Sequence, residues 1–496
     1  MQYIISVDIG TTALKSSIVQ RDGIIAASSS EGYPLMTQGA SVEQDPTLWW
    51  EAFCRTALEL TSKHPDLKIE AIVLSGQMQD LIMVEKGVCT EPAILYSDTR
   101  SQPEFTQFTE DLGLSDIKAI TGNTPDASGL PAKLMMLKNR QKLTALTTFL
   151  TSAHDYLCWK LTGRSVTDPT NAATTGLMHY ENSDWDQRIL SYLGIDHAQL
   201  PIIEPAGKIS GSITIEAAAL CGLPAGLPVI HGAGDAASST VGAGAGIPGV
   251  YSCYLGTSGW VASTVSCPID PSYGVFNLKH PNREDTIAIG AMRTTGGNIS
   301  WLIDSFEIDD NNKYETLQKI ASHAAPGSSG LFYLPYLQGE RSPFQDPHAR
   351  GAYVGISRST RKPELFRSVL EGICYGLASI YQKIETGTGV AAKYVVVSGG
   401  GAEDKLLTEI LASVLGVPVH VAAVAAHNGV LGSSVIAGKA LGWTDSYMLP
   451  EQFLQIERII IPNMEIHRFY QKQLEVFHGL YPALQDEFHI INDLNE

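Results

Sequence analysis

Two short segments place glycines, hydroxyls and a carboxylate at spacings that suit phosphate chemistry. Ser6-Val7-Asp8-Ile9-Gly10-Thr11-Thr12-Ala13-Leu14 reads as a strand, a tight turn and a second strand. Such a turn aims several backbone N–H groups and hydroxyls into one concavity, and Gly10 admits an oxygen where a Cβ would block it. Thr11 and Thr12 then form a phosphate cradle, with Asp8 at the strand end placed to hold Mg²⁺. Plain hairpins also favour Gly and Thr at their turns, so one copy decides nothing. A second copy exists: Tyr251-Ser252-Cys253-Tyr254-Leu255-Gly256-Thr257-Ser258-Gly259-Trp260-Val261 has the same shape, with Gly256, Thr257 and Ser258 at its turn. The matched pair moves the balance towards phosphate.

Three further clusters bear on chemistry. Ser398-Gly399-Gly400-Gly401 links an apolar run to a helical stretch; Gly400 and Gly401 there leave room for a nucleotide against backbone, although tight packing explains them equally well. His231-Gly232-Ala233-Gly234-Asp235 ends an apolar strand among small residues. Asp235 suits a general base with unhindered access to a hydroxyl, but on local sequence a helix N-cap is preferred. His231 reads as a hydrogen-bonded core histidine. Gln77, Met78 and Gln79 follow another strand, and Asp98 and Arg100 lie a short way on. These supply directed bonds for a polyhydroxylated ligand; an exposed Asp98–Arg100 pair on a polar rim is the plainer account. Gly244 to Gly249 fits GxGxxG, but Pro248 interrupts it and a strand follows, so no dinucleotide site is expected. GxxxxGK[ST] is absent.

The elements that must position these residues alternate. Tyr3–Val7, Ala71–Leu74, Pro228–Ile230, Tyr394–Val397 and Val417–Val421 read as buried strands, and Pro46–Thr61, Leu130–Leu137, Glu364–Gln382 and Asp404–Leu415 have helical spacing. Alternation implies an α/β chain with largely parallel sheets. The two hairpins open two halves of comparable size, and the small-residue stretch Val241–Val250 is the expected boundary or hinge. The chain has 496 residues, 44% hydrophobic and 17% charged, which excludes disordered, collagen-like and coiled-coil classes. A net charge of −18 disfavours nucleic-acid and anionic-membrane partners. No signal-like N-terminus or membrane span is evident, and seven scattered cysteines without metal spacing read as buried, reduced thiols in a cytoplasmic protein. The tail 463–496 reads as a helix.

Over nearly its whole length the chain resembles the FGGY family of carbohydrate kinases. Gly129-Leu130-Pro131-Ala132-Lys133-Leu134-Met135-Met136-Leu137 looks like the first family signature, with Met136 where Trp is usual; Gly351–Ile356 followed by Glu364–Glu371 fits the second. The resemblance implies an α/β fold of two ribonuclease-H-like domains, of the actin and hexokinase type, with a cleft between them. Residues 1–246 would form the sugar side and 247–496 the nucleotide side. ATP and Mg²⁺ are implied: Asp8 organises the ion, Thr11 and Thr12 face phosphate from one side, and Gly256, Thr257 and Ser258 from the other. Gly297, Gly400 and Gly401 line the nucleotide, while Gln77, Met78, Gln79 and Asp98 contact the sugar. Asp235 takes the place of the family's catalytic base, which overrides the cap preference.

The loop Leu334–Arg350 looks like the xylulose kinase version, shared in much of its length with gluconate kinases. A hydroxyl of a ketopentose, D-xylulose, is therefore the expected acceptor, with gluconate and ribulose kinases as alternatives. Gln79-Asp80 departs from the His-Gly usual in xylulose kinases, adding charge and bulk where Gly is usual. A homodimer is a family-level expectation. A non-enzymatic nucleotide switch shares the fold, but Asp235 together with Gln77, Met78 and Asp98 argues against it.

Overall fold

A computed structural model describes residues 1–308, 312–422, 427–450 and 453–494. Two sheets repeat one topology. In the first half the strand order is Lys208–Ser212, Pro228–His231, Ile69–Gly76, Tyr3–Ile9, Ala13–Gln20, Ile25–Gly32. In the second it is Ile456–Ile460, Val419–Ala422, Val395–Ser398, Tyr251–Leu255, Gly259–Val265, Thr286–Met292, with Phe276–Lys279 added at the edge. Each begins with an antiparallel hairpin extended by a third antiparallel strand. On the other side of each first strand lie two parallel strands and an antiparallel edge. This is the duplication that the two hairpins implied, in the ribonuclease-H-like arrangement that the family resemblance implied.

The first strand shows why these segments are strands. Ile5, Val7 and Ile9 enter one apolar cluster while Ile4 enters another across the sheet, so both faces are buried. Helix Pro46–Lys63 covers one face with Trp49, Phe53, Ala57 and Leu60, spaced as one helical stripe. In the second half the helix expected over Glu364–Gln382 runs from Lys362 to Thr388. The Arg361 N–H donates to Glu364 Oε2 at 3.0 Å to start it, and Gly389, at φ 67°, ends it.

An added sheet in the first half, containing Met78–Glu85, Ala93–Ile94 and Thr148–Ser152, packs with helix Leu130–Asn139. The strand Ile69–Gly76 passes through Gln77 into Met78–Glu85, so one crossover joins both sheets.

The small-residue stretch after Asp235 is spent on packing. Residues Asp235–Thr240 form a helix that widens into a turn over Val241–Ala245 and lies on helix Asn428–Ala440. A Cβ on Gly432 would sit 1.8 Å from the Ser238 carbonyl oxygen, and one on Gly242 1.9 Å from that of Asn428, so backbone touches backbone here. The seven cysteines are unpaired, and Cys158, Cys221, Cys253 and Cys374 are buried; Cys267, in a turn past the strand Gly259–Val265, is exposed, against the expectation of burial throughout. Among the described residues no helix is long and apolar enough to cross a membrane. The tail helix spans Met464–Asp493.

Candidate active site

The first turn follows from a register in which Asp8 pairs with Lys15 and Ile9 with Leu14, leaving Gly10, Thr11, Thr12 and Ala13 to reverse the chain. The Gly10 N–H donates to the Ala13 carbonyl at 3.0 Å, and Thr12 is exposed. The second turn is one residue shorter, Gly256 to Ser258 between paired Leu255 and Gly259, and its Gly256 N–H donates to the Ser258 carbonyl at 2.9 Å. Behind it stands helix Gly296–Ser305, whose Gly296 and Gly297 N–H groups donate to the Gly256 and Thr257 carbonyls at 2.8 and 3.1 Å. A Cβ on Gly296 would fall 2.6 Å from the Gly256 oxygen, so only glycine permits the approach. Gly399, at φ 98°, and Gly401 lie against Leu255, while a Cβ on Gly400 would meet open space.

A chain of contacts joins the two turns. Asn428, first in helix Asn428–Ala440, donates from Nδ2 to Ser398 Oγ at 3.1 Å, next to the Gly399–Gly401 turn. At Gly429 a Cβ would stand 2.7 Å from Asp8 Oδ2, so the start of this helix lies on the Asp8 carboxylate. Lys15 Nζ and His427 Nδ1 are 3.0 Å apart across the same junction. Burial raises the Asp8 carboxyl to about 6 against the opposing charges of Lys15 and His154.

Asp235 enters from the strand Pro228–His231. Tight passage explains the glycines of that segment: a Cβ on Gly232 would strike the Leu74 carbonyl oxygen at 2.3 Å, and one on Gly234 would strike Met78 Sδ at 2.0 Å. The N-cap expectation from local sequence is corrected, because Gly234 holds the cap position and Asp235 is the first helical residue. Burial lifts the Asp235 carboxyl from 3.8 to about 7, the Asp8 charge adds to the rise, and the Ala236 N–H opposes it.

Asp235 lies on the wall of a cavity of about 260 Å³ that also takes in Met78, Gln79, Tyr96, Asn123, Thr124 and Asp126 from the first half. Phe276, Leu278, Ile289 and Arg341 close it from the second half. Its volume suits a small molecule rather than a nucleotide. Gln79 has φ 62°, in the left-handed region, held by its N–H donating to Asn171 Oδ1 at 2.9 Å. Asn171 is fixed in turn by Thr151 and Thr167, beside a buried ladder in which Nε2 of His231 meets Asp155 Oδ1 at 3.0 Å and Nε2 of His154 meets Asp168 Oδ2 at 2.9 Å. His231 is thus the hydrogen-bonded core residue its context suggested. Arg341 lies over the Phe276 ring, 5.7 Å from its centroid, and forms no ion pair among the described residues.

The structure does not bring every expected residue to the cavity. Asp98 is fully buried, accepting from the Val42 N–H at 2.7 Å and from Arg100 Nε at 2.8 Å, so it pins the loop that carries Tyr96. Gln77 is 1% exposed, lies outside the cavity lining and leaves both amide atoms without a partner. Its N–H donates to the Ile9 carbonyl at 2.8 Å, which ties it to the first turn. Tyr96 and Arg341 were not singled out by sequence, although both lie in segments read as polar loops. Nothing local marked Phe276.

Residues 3–242 match the N-terminal domain of the FGGY family of carbohydrate kinases and residues 251–441 its C-terminal domain. Xylulose kinase of Staphylococcus xylosus is 28% identical, covering 97% of this chain and all of its own. The crystal structure of ligand-bound xylulose kinase from Lactobacillus acidophilus superposes with a TM-score of 0.93 at 29% identity, over 99% of this chain and 100% of that one. Gluconate kinase from the same organism gives 0.93 at 30%, over 99% of each chain. With both domains matched in order and the duplicated fold in hand, the chain belongs to the FGGY family of carbohydrate kinases and is an ATP-dependent sugar kinase.

Proposed function

We propose that the chain transfers the terminal phosphoryl group of ATP to a hydroxyl of a ketopentose, D-xylulose, held in the cavity beside Asp235. One observation carries the reading: Asp235 lines the cavity, within the electrostatic reach of Asp8 at the root of the first turn. Asp235 takes the acceptor proton as the sugar oxygen forms its bond to phosphorus and the bond to the ADP oxygen breaks. Thr11 and Thr12 on one side, and Thr257 and Ser258 on the other, donate to the phosphate oxygens, and Gly256 turns the chain between them. Gly297, Gly400 and Gly401 leave room for the nucleotide. Met78 and Gln79 face the sugar; Gln77 and Asp98 act one layer out, where their contacts lie. Closure of the halves, divided at 246/247, keeps water from the reacting phosphate.

The residues around Asp8 fit Mg²⁺. A buried carboxylate raised to about 6 gains from a cation, and Gly429 leaves free the space that a Cβ would fill at its oxygen. When bound, the ion would offset charge on the phosphate oxygens. Xylulose kinases among the relatives support the ketopentose.

A second reading has its own observation. Arg341, which forms no ion pair among the described residues, offers a guanidinium to the cavity, which favours a sugar acid whose carboxylate it would bind. A coupled ADP-release assay on purified protein separates them. D-xylulose turning over fastest supports the first reading and gluconate the second, while background ATP turnover alone defeats both.

A further inference from the structure

Two charged side chains under the cavity wall have no part in the chemistry above. Asp80 and Lys133 are both 0% exposed. Asp80 directly follows Gln79 on the strand Met78–Glu85, and Lys133 sits within helix Leu130–Asn139. They act on one peptide group. The Tyr96 N–H donates to Asp80 Oδ1 at 3.2 Å, and Lys133 Nζ donates to the Leu95 carbonyl at 2.8 Å. That carbonyl and that N–H are the two ends of a single planar amide, so a carboxylate and an ammonium hold its dipole from both sides.

Burying two charges is costly, and well-packed apolar side chains often serve stability as well or better. A pair kept here therefore calls for a task beyond filling space, and the residue it fixes supplies one. Tyr96 lines the cavity with Asp235 and sets its hydroxyl 3.4 Å from Thr11 Oγ1, which links the acceptor pocket to the first phosphate turn.

We infer that Asp80 and Lys133 are a positioning pair: by clamping the Leu95–Tyr96 peptide they fix the Tyr96 ring and hydroxyl against the acceptor and the Thr11 turn. The inference rests on the kinase reading of this cavity. Burial raises the Asp80 carboxyl, with Lys133 and the Tyr96 N–H opposing and Asp235 and Asp155 adding to the rise. Lys133 is lowered by burial to about 8; Asp80, Asp98 and Asp126 oppose the shift and Arg100 adds to it. Loss of the Lys133 proton removes the charge that braces the Leu95 carbonyl.

Three variants test this. Asp80→Asn keeps an oxygen for the Tyr96 N–H but drops the charge, and Lys133→Met removes the donor to Leu95. The double variant removes both charges, so no lone buried charge is left to unfold the chain. The readouts are kcat and KM for sugar and for ATP across about pH 6 to 9, and the fluorine resonance of Tyr96 in 3-fluorotyrosine-labelled protein, assigned with Tyr96→Phe. Sugar KM should rise at least about tenfold in Lys133→Met and in the double variant, with kcat within about threefold and ATP KM unchanged. The Tyr96 resonance should move. In the unaltered chain sugar KM should climb above about pH 8, a step missing once Lys133 is Met. A lowered melting temperature with unchanged sugar KM, pH profile and Tyr96 resonance overturns the inference. If the unaltered chain phosphorylates no sugar, the kinase reading of the cavity fails instead, and the resonance still decides whether the clamp exists.

Discussion

Replacing Asp235 by Asn should abolish turnover while making the chain more stable. Burial and the neighbouring Asp8 charge lift the Asp235 carboxyl from 3.8 to about 7. At about 1.4 kcal/mol per unit, the ionised group costs the fold up to about 4 kcal/mol above that pH. Solvent reaching the cavity wall screens this, which leaves about 2 kcal/mol. Asn keeps the shape and discards the charge. Because the folded state holds this proton more tightly than the unfolded chain, the unaltered protein loses stability as pH rises from about 4 to 7. The variant has no such loss, so its advantage is greatest above pH 7 and shrinks towards pH 4. Urea midpoints at several pH values measure that difference, and the ADP-release assay should show kcat down about 10²- to 10⁴-fold. Near-normal turnover in Asp235→Asn, or a variant less stable than its parent at pH 8, would refute the reasoning.

Other perturbations follow from single contacts. Gly429→Ala puts a methyl 2.7 Å from Asp8 Oδ2, so kcat/KM for ATP should drop at least about tenfold, with a higher Mg²⁺ requirement and little change in melting temperature. Gly432→Ala drives a Cβ to within 1.8 Å of the Ser238 oxygen and should cost about 2 kcal/mol or more in a urea titration, since neither helix can retreat cheaply. Arg341→Gln, assayed against a panel of sugars and sugar acids, should leave D-xylulose turnover within about threefold; collapse confined to a sugar acid would select the second reading. In the unaltered enzyme kcat should fall as pH drops below about 7 and Asp235 takes up its proton, a decline checked by an initial-rate pH profile.

The fold was readable from sequence to an unusual depth because its signal repeats. Two hairpins with Gly and hydroxyl residues at matched places gave the duplication, and the structure adds the same strand order around each. Apolar runs such as Tyr3–Ile9 mark strands buried on both faces, which sequence records directly. Asp235 shows the opposite case. Its neighbours Ala236, Ala237 and Ser238 suit a helix start, and no local pattern distinguishes a cap from a first-turn residue; only the position of Gly234 does so. Asp98 shows another limit: its partners are the Val42 N–H, far off in sequence, and Arg100, two residues on, and only the fold brings both to one buried carboxylate. Lys133 sat in view within a recognised segment, but a lysine at 0% exposure contradicts its usual habit, and its target, the Leu95 carbonyl, leaves no trace in composition.

The helix Asn428–Ala440 touches the first half at three levels in four residues. Gly429 lies on Asp8, the Val430 carbonyl accepts from Ser6 Oγ at 3.2 Å, and Gly432 meets the backbone of Ser238, one helical turn past Asp235. The proposed base and the proposed ion-holding carboxylate are thus both backed by one helix. Asp8 and Asp235 belong to the first half and this rod to the second, so on the proposed reading a swing of the lobes that shifts the rod is felt beside both carboxylates at once.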